Sequence, residues 1–509
     1  MLDPGVYRVQ WSKNAAVKPG FAASGYCKPP GREVYSAPIL IMKYFLIVLL
    51  ISQTHLLNAQ PVLIATDNNP KKYGDGYAQE YLVDQSRSID GLTFFITPNW
   101  RLFQTDGTPS GTKELMQFPS GSLLYLKAVT RGYIYYTRYQ NDSKALFRID
   151  RSTLRIQPVN DDGRQIDMEV GYTAMYTSPS KDEVAIRRYK NSFTMLSTLH
   201  DSNKGANVES VIVGMSGGGT TLINIFSDVA FLGRQVFYNG HIQYDQPGTD
   251  QKGIETMIQG SVPTGNPAKM AYDIFSMYNV RSQGFELYDG FYRLKDSLFT
   301  FGFYDNKQTK KSDLAIASLH WSAMRIPAVK PVERKNIITR VIDDELYFTN
   351  GRQVLRWHPG LTGIEEVFLK DSLWPQSLQP GIYLLKSGQN LVFRERGDVV
   401  RIYNMSTRKF SEIRTPDAVT EPNSLYKYSE TLLYTTKNGL YYMANDGPAP
   451  VFTRYDPETN KHEPIVFPTY KNEKFRAFRN VFQAGNKFYF LTEYTGKKDV
   501  AVYRIFVFE

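Results

Sequence analysis

Short runs of aromatic and β-branched residues return along this chain at a nearly constant interval, and that interval restricts the available folds more than any other feature. They include Leu92-Thr93-Phe94-Phe95-Ile96, Tyr133-Ile134-Tyr135-Tyr136, Leu298-Phe299-Thr300-Phe301, Leu346-Tyr347-Phe348 and Phe488-Tyr489-Phe490. A polar turn follows each run, and then a second strand that often ends in Asp or Asn, as in Ala145 to Asp150 and Val399 to Asn404. With Phe95, Tyr135, Met175, Phe237, Phe299, Tyr347, Val392, Leu433 and Tyr489 as anchors, the mean step is about 49 residues. A four-stranded propeller blade has a period of roughly 40–50 residues.

Strands of this length send alternate side chains to opposite faces, so a sheet with aromatic residues on both faces must be covered on both. This gives the 35 Tyr and 30 Phe a cause. Helical periodicity between the runs is missing, which disfavours a parallel α/β sheet with its crossover helices. A pair of β-sandwiches would need a linker near mid-chain, and no Pro/Gly/Ser-rich stretch stands there. The expected fold is all-β: a single β-propeller over 60–509, of about eight four-stranded blades, with seven to nine possible. Pairing Pro61-Val62-Leu63-Ile64 with the C-terminal strand Arg504 to Phe508 would close the ring and remove exposed edges.

The segment Arg101 to Leu115, RLFQTDGTPSGTKEL, resembles the E-L-W-x-x-D-G-T-x-x-G-T-x-x-L repeat of secreted bacterial β-propeller proteins. Arg101 and Phe103 stand where that repeat has Glu and Trp, and Leu355 to Gly363 is a degenerate second copy. Asp106-Gly107 suits a tight turn and Gly111-Thr112 the re-entry into the outer strand. The resemblance implies the propeller fold and secretion, with no particular chemistry.

Met42-Lys43, the apolar run Tyr44 to Ile51 and the small residue Ala59 read as a secretory signal peptide over 42–59, cleaved after Ala59. Residues 1–41 then form a disordered extension upstream of the true start. The alternative is a retained membrane anchor, although Lys43 and Ser52-Gln53-Thr54-His55 interrupt the roughly 20 apolar residues that a span needs. Residues 1–59 hold six Lys or Arg, two acids and the single Cys, Cys27, so their loss lowers the net charge from +10 to +6. The remaining 450 residues have no thiol, which suits a periplasmic or extracellular location and excludes Cys catalysis and thiolate metal sites. No dense Lys/Arg run marks a nucleic-acid surface.

Candidate chemistry is sparse. Gly214-Met215-Ser216-Gly217-Gly218 matches the G-x-S-x-G nucleophile pattern after a strand, but no helix pattern follows, so a glycine-rich turn is the better reading. His200, His241, His320, His358 and His462 show no metal-ligand spacing and read as surface or blade-edge residues. Asp161-Asp162 and Asp343-Asp344-Glu345 lack a calcium-loop pattern and read as turn residues. No catalytic, cofactor or metal residue is assigned, and no cofactor is expected.

The irregular segment His200 to Met270, with Gly217-Gly218-Gly219, Pro247-Gly248 and Pro263-Thr264-Gly265, is the first choice for a functional rim. The expected function is an exported, non-catalytic propeller that binds protein or glycan through its rim loops. The alternative is a secreted carbohydrate-active or other hydrolytic enzyme, with acids or His converging at the central channel. N-terminal sequencing of the exported protein should begin at Gln60; an intact Met1 would overturn the start-site reading.

Overall fold

A computed structural model describes residues 60–67, 86–119, 123–140, 143–161, 163–168, 174–190, 193–202, 205–215, 223–232, 235–245, 252–262, 273–279, 285–306, 311–319, 324–332, 337–349, 353–369, 383–394, 399–414, 433–436, 439–446, 449–457, 459–496 and 500–509. Within 209–290 and at several strand ends only the backbone is described. The 42–59 segment and Cys27 lie outside the described residues. No helix among the described residues is long and apolar enough to cross a membrane.

Among these residues the chain is all-β, a repeated-blade propeller fold of four-stranded antiparallel sheets. Nine such sheets are present among the described residues. The first comprises Ser86–Ile89, Leu92–Ile96, Arg101–Thr105 and Lys113–Gln117. The second has Leu123–Val129, Tyr133–Gln140, Ser143–Asp150 and Ile156–Pro158. The third has Ala174–Thr177, Glu183–Lys190, Phe193–His200 and Glu209–Met215. Five more follow within 223–279, 285–331, 338–369, 383–414 and 433–464, each pairing its strands in chain order.

The ninth sheet joins the two ends of the sequence. Lys474–Ala484, Lys487–Thr495 and Ala501–Phe508 pair in order, and Val62–Asp67 adds the fourth, outer strand. Its register is Val62↔Val507, Leu63↔Phe506 and Ala65↔Ile505, with a bulge between Leu63 and Ala65. This is the pairing expected from the sequence.

In several sheets the second strand carries two adjacent aromatic residues that point to opposite faces and pack on different neighbours. Phe94 packs with Leu124, Leu126 and Ile134 of the second sheet, whereas Phe95 packs with Tyr489, Leu491 and Ile505 of the ninth. Tyr136 turns back to the first sheet and Tyr135 forward to Val184 and Ile186 of the third. Phe348 and Tyr347, Tyr442 and Tyr441, and Tyr489 and Phe488 divide between neighbours in the same way. Rings also meet edge-on across sheets: Phe301 and Phe348 at 5.1 Å, Phe299 and Trp357 at 5.0 Å. Full burial of one such side chain stabilises by roughly 1.5–3 kcal/mol.

Two sequence anchors were misplaced. Met175 and Leu433 lie on first strands, Ala174–Thr177 and Leu433–Thr436, and the equivalent second-strand positions are Ile186 and Tyr442. Phe237 then lies 51 residues after Ile186, itself 51 after Tyr135, so the irregular step to Phe237 disappears. Ile186 was passed over because a β-branched residue in a charged strand carries no aromatic signal.

Turn chemistry explains the polar punctuation. In several sheets the first and second strands are joined by a two-residue turn with left-handed backbone, as at Asp90 (φ 49°) with Gly91 (φ 79°), and Asp343 (φ 53°) with Asp344 (φ 60°). Asp343-Asp344 is thus a turn, and its acids meet Lys386 (3.0 Å from Asp343) and the Lys295 amide (3.4 Å from Asp344). Some third strands end in a residue whose side chain caps the following turn. Asp150 Oδ1 accepts the amides of Ser152 (2.8 Å) and Thr153 (2.9 Å), and Asn404 Oδ1 those of Ser406 (3.1 Å) and Thr407 (2.8 Å).

In Asp106-Gly107-Thr108-Pro109-Ser110-Gly111-Thr112 the same cap is elaborated. Asp106 Oδ1 accepts the Thr108 amide (2.8 Å) and hydroxyl (2.7 Å), and Gly107 takes φ +88°. The carboxylate folds over Gly111, where an added Cβ would lie 2.0 Å from Asp106 Oδ1. Only glycine fits there, which accounts for the spacing of the two glycines.

Gly111→Ala should therefore cost roughly 1–3 kcal/mol in denaturant unfolding, while Gly363→Ala, with open space around it, should stay within about 0.5 kcal/mol. The Thr108 hydroxyl and amide hold the Asp106 carboxyl below its usual range, and the Ser152 hydroxyl and Thr153 amide do the same for Asp150. A lowered folded-state value contributes stability above the unfolded value, lost as pH falls through the folded one. Thermal melts from about pH 5 to pH 2 should show a smaller acid loss in D106N/D150N than in the parent, because Asn keeps the acceptor without titrating.

Candidate functional site

Titratable groups gather at the turn end of the third sheet. The pairing Glu183↔His200 across its central hairpin sets Asp182 beside His200, although 18 residues separate them in sequence. His200 ends the third strand, the position that Asp150 and Asn404 fill in their sheets, and its Nδ1 likewise accepts an amide two residues on, from Ser202 (3.0 Å). That bond fixes the ring: Nδ1 is the bare acceptor, and Nε2 carries the proton toward Asp182 Oδ2, 3.3 Å away. Ser202 Oγ lies 2.7 Å from Nδ1.

Asp182 is held from behind. Its Oδ1 accepts the Ser180 hydroxyl, Ser180 meets Ser178 at 2.9 Å, and Ser178 Oγ accepts the Glu183 amide at 3.1 Å. Burial pushes the Asp182 carboxyl up, but the Ser180 hydroxyl and the charge of His200 outweigh it and hold the group below the ordinary carboxylate range. His200 and Asp182 are each 36% exposed at the side chain, so solutes reach the hydroxyl, imidazole and carboxylate together.

The surrounding turns are locked to one another. Asp201 accepts the Thr130 hydroxyl and the Gly132 amide of the second sheet, each at 2.7 Å. Burial pushes its carboxyl up against those two hydrogen bonds. Asp90 of the first sheet pairs with Lys181 (2.5 Å) and Arg131 (3.6 Å), and Arg151 donates to the Thr130 and Arg131 carbonyls, both 2.9 Å. Deeper, Arg188 pairs with the buried Asp161 and donates to Ser197 at 3.0 Å. Asp161 is therefore an ion-pair partner between sheets.

The other sequence candidates fall elsewhere. His358 repeats the cap, accepting the Gly360 amide at 3.1 Å, but the residue two positions on has no hydroxyl and Glu345 stands 4.0 Å away. His462 meets the Tyr442 hydroxyl at 2.6 Å. His241 lies on a strand described by its backbone alone. Ser216, Gly217-Gly218-Gly219, Pro247-Gly248, Pro263-Thr264-Gly265, His320 and Asp162 lie outside the described residues. Reading His200 by metal-ligand spacing missed its partners, because Asp182 arrives through strand pairing and Ser202 through a turn. A hydroxyl two residues after a strand-ending His was the available signal. No group of three or more His, Cys, Asp or Glu among the described residues is arranged to hold a metal ion.

No family model matches the chain, and no curated protein matches it. Solved structures similar to it include Porphyromonas gingivalis dipeptidyl peptidase 4, at 8% identity and TM-score 0.46, covering 82% of this chain and 66% of that one. A prolyl endopeptidase matches at 15% identity and TM-score 0.36, covering 74% of this chain and 55% of that one. BamB from Moraxella catarrhalis matches at 12% identity and TM-score 0.35, covering 75% and 90%. This chain thus spans little more than half of the prolyl endopeptidase. Peptidases recur among the similar structures, which corrects the expectation of a non-catalytic rim binder.

Proposed function

We propose that this chain is an exported propeller of nine blades with hydrolytic activity at Ser202, His200 and Asp182. One observation carries the reading: a single imidazole stands between a carboxylate 3.3 Å from one nitrogen and a hydroxyl 2.7 Å from the other. In that order Ser202 Oγ attacks an acyl carbon and passes its proton to His200 Nδ1. Asp182 stabilises the imidazolium, which returns the proton to the leaving group; water then releases the acyl product. A turn cap needs only the amide of Ser202, as His358 and Gly360 show, so the cap alone gives no role to the Ser202 hydroxyl or to the serines behind Asp182.

The nine four-stranded sheets, each packed on the next, support the blade count. The signal-like segment and the cysteine-free remainder support export. The capped glycine turn at Asp106 to Thr112 supports kinship with the secreted propellers carrying the D-G-T-x-x-G-T repeat.

The test is turnover of p-nitrophenyl esters and peptide anilides by the exported chain, with fluorophosphonate labelling located by mass spectrometry. The label should map to Ser202, and Ser202→Ala should abolish turnover with no change in melting temperature. Asp182→Asn should lower turnover about 10²–10⁴-fold, a range typical of lost acid–base assistance, and His358→Ala should leave it unchanged. A label elsewhere, or full turnover by Ser202→Ala, would discard the reading.

A further inference from the structure

The residue that follows a turn-capping side chain differs from sheet to sheet, and in the third sheet it is an acid. It is Arg151 after Asp150, Pro359 after His358 and Met405 after Asn404, but Asp201 after His200. Asp201 thus stands between the residues that carry the imidazole and the hydroxyl of the candidate site. Its backbone and its side chain bond to different sheets. The amide donates to the Asp182 carbonyl of the third sheet at 2.7 Å, whereas the carboxylate accepts the Thr130 hydroxyl and the Gly132 amide of the second, each at 2.7 Å.

The turn that Asp201 grips is itself fixed. The Arg131 amide donates to the Lys181 carbonyl of the third sheet at 2.7 Å, and the Arg151 amide to the Gly132 carbonyl at 2.9 Å. The Thr130 hydroxyl oxygen in turn accepts the Tyr133 amide at 3.0 Å. Gly132 admits the carboxylate at close range, since a Cβ there would lie 2.9 Å from Asp201 Oδ2. Capping alone does not call for such a grip: Pro359, at the same place in the sixth sheet, has no polar side chain to make one. Ser202 is exposed, so the direction of its hydroxyl depends on the turn that carries it.

We infer that Asp201 is a positioning residue, whose two hydrogen bonds to the second sheet set the angle at which the turn from His200 to Ser202 presents hydroxyl to imidazole. This rests on the hydrolytic reading of that turn. Proton transfer needs the hydroxyl within hydrogen-bond reach of the base, and a displacement of about 1 Å costs roughly a hundredfold in rate. The role requires matched donors and acceptors, and no charge. Asp201→Asn can keep it, with the amide oxygen accepting from Gly132 and the amide group donating to the Thr130 oxygen. Asp201→Ala cannot.

Turnover of p-nitrophenyl esters by the exported chain and its variants tests this, at a temperature where circular dichroism shows all of them folded. Asp201→Ala should lower kcat about 10–100-fold and leave KM within about twofold, as for geometry that matters only in the reacting complex. Thr130→Val, in another sheet and 71 residues from Asp201, should lower kcat in the same way but less, because the Gly132 bond remains. Thr130→Ser and Asp201→Asn should stay within a few-fold of the parent. Asp90→Ala breaks exposed ion pairs to the neighbouring turns, which are worth little, and should leave kcat unchanged. The Gly132 amide, followed by NMR in a glycine-labelled chain, should move upfield in Asp201→Ala, which removes its acceptor. A Gly132 amide that does not move overturns the grip. Equal loss of kcat in Asp201→Asn and Asp201→Ala assigns the effect to charge and overturns the positioning role. Full kcat in Asp201→Ala, with Ser202 still labelled by a fluorophosphonate, overturns that role and leaves the hydrolytic reading standing. A parent chain with no label on Ser202 overturns both.

Discussion

Where side chains are described, the sheets of this propeller have two apolar faces, and such a sheet is not stable without a neighbour on each side. That constraint governs the rest of the structure. It requires adjacent aromatic residues on the second strands to point opposite ways: Phe94 to the second sheet and Phe95 to the ninth, Tyr136 to the first and Tyr135 to the third. It also demands closure, because the series would otherwise end on an uncovered face. Val62–Asp67 closes it by joining the ninth sheet, where Ile64 lies in the same core as Phe95 and Phe103 of the first.

With the apolar surface committed between sheets, polar side chains collect at the turns. There the connections are short and often left-handed, and each needs a capping acceptor. Asp106, Asp150 and Asn404 supply it in three sheets, and His200 and His358 in two others. An imidazole doing the work of a carboxamide retains a second nitrogen. At His200 that nitrogen faces Asp182, and the capped amide belongs to a serine. The candidate site is thus a repeat position whose ordinary structural duty orients the groups that chemistry would use. Locks between neighbouring turns, such as Asp90 to Arg131 and Lys181, hold that end of the first three sheets in register.

Much of the fold was legible in the chain because burial on two faces leaves a mark in residue type. Phe94-Phe95, Tyr135-Tyr136 and Tyr347-Phe348 announce strands that need partners on both sides. Asp90-Gly91 and Asp343-Asp344 announce turns, since only short polar residues and glycine accept left-handed backbone readily. The signal fails where burial is achieved without rings. Val184-Ala185-Ile186 is fully buried, yet this aliphatic run, followed at once by Arg187-Arg188, carries no ring to mark it, unlike the stretch around Met175. The site was less legible than the fold, because the rules used for it looked for fixed spacings. Asp182 and His200 meet through an antiparallel register, and a register follows from the whole hairpin.

By itself, the sequence determined the repeat, the all-β class and the pairing of its two ends, because these depend on which residues prefer apolar surroundings and at what period. It also determined a cysteine-free body and the turn positions. Tertiary structure alone decided which aromatic ring faces which neighbour and that His200 stands between Asp182 and Ser202. It decided too that Asp201 grips the turn at Thr130 and Gly132. Each of those is a relation between segments distant in sequence, set by strand register and by the packing of one sheet on the next, and neither is a property of any local stretch of residues.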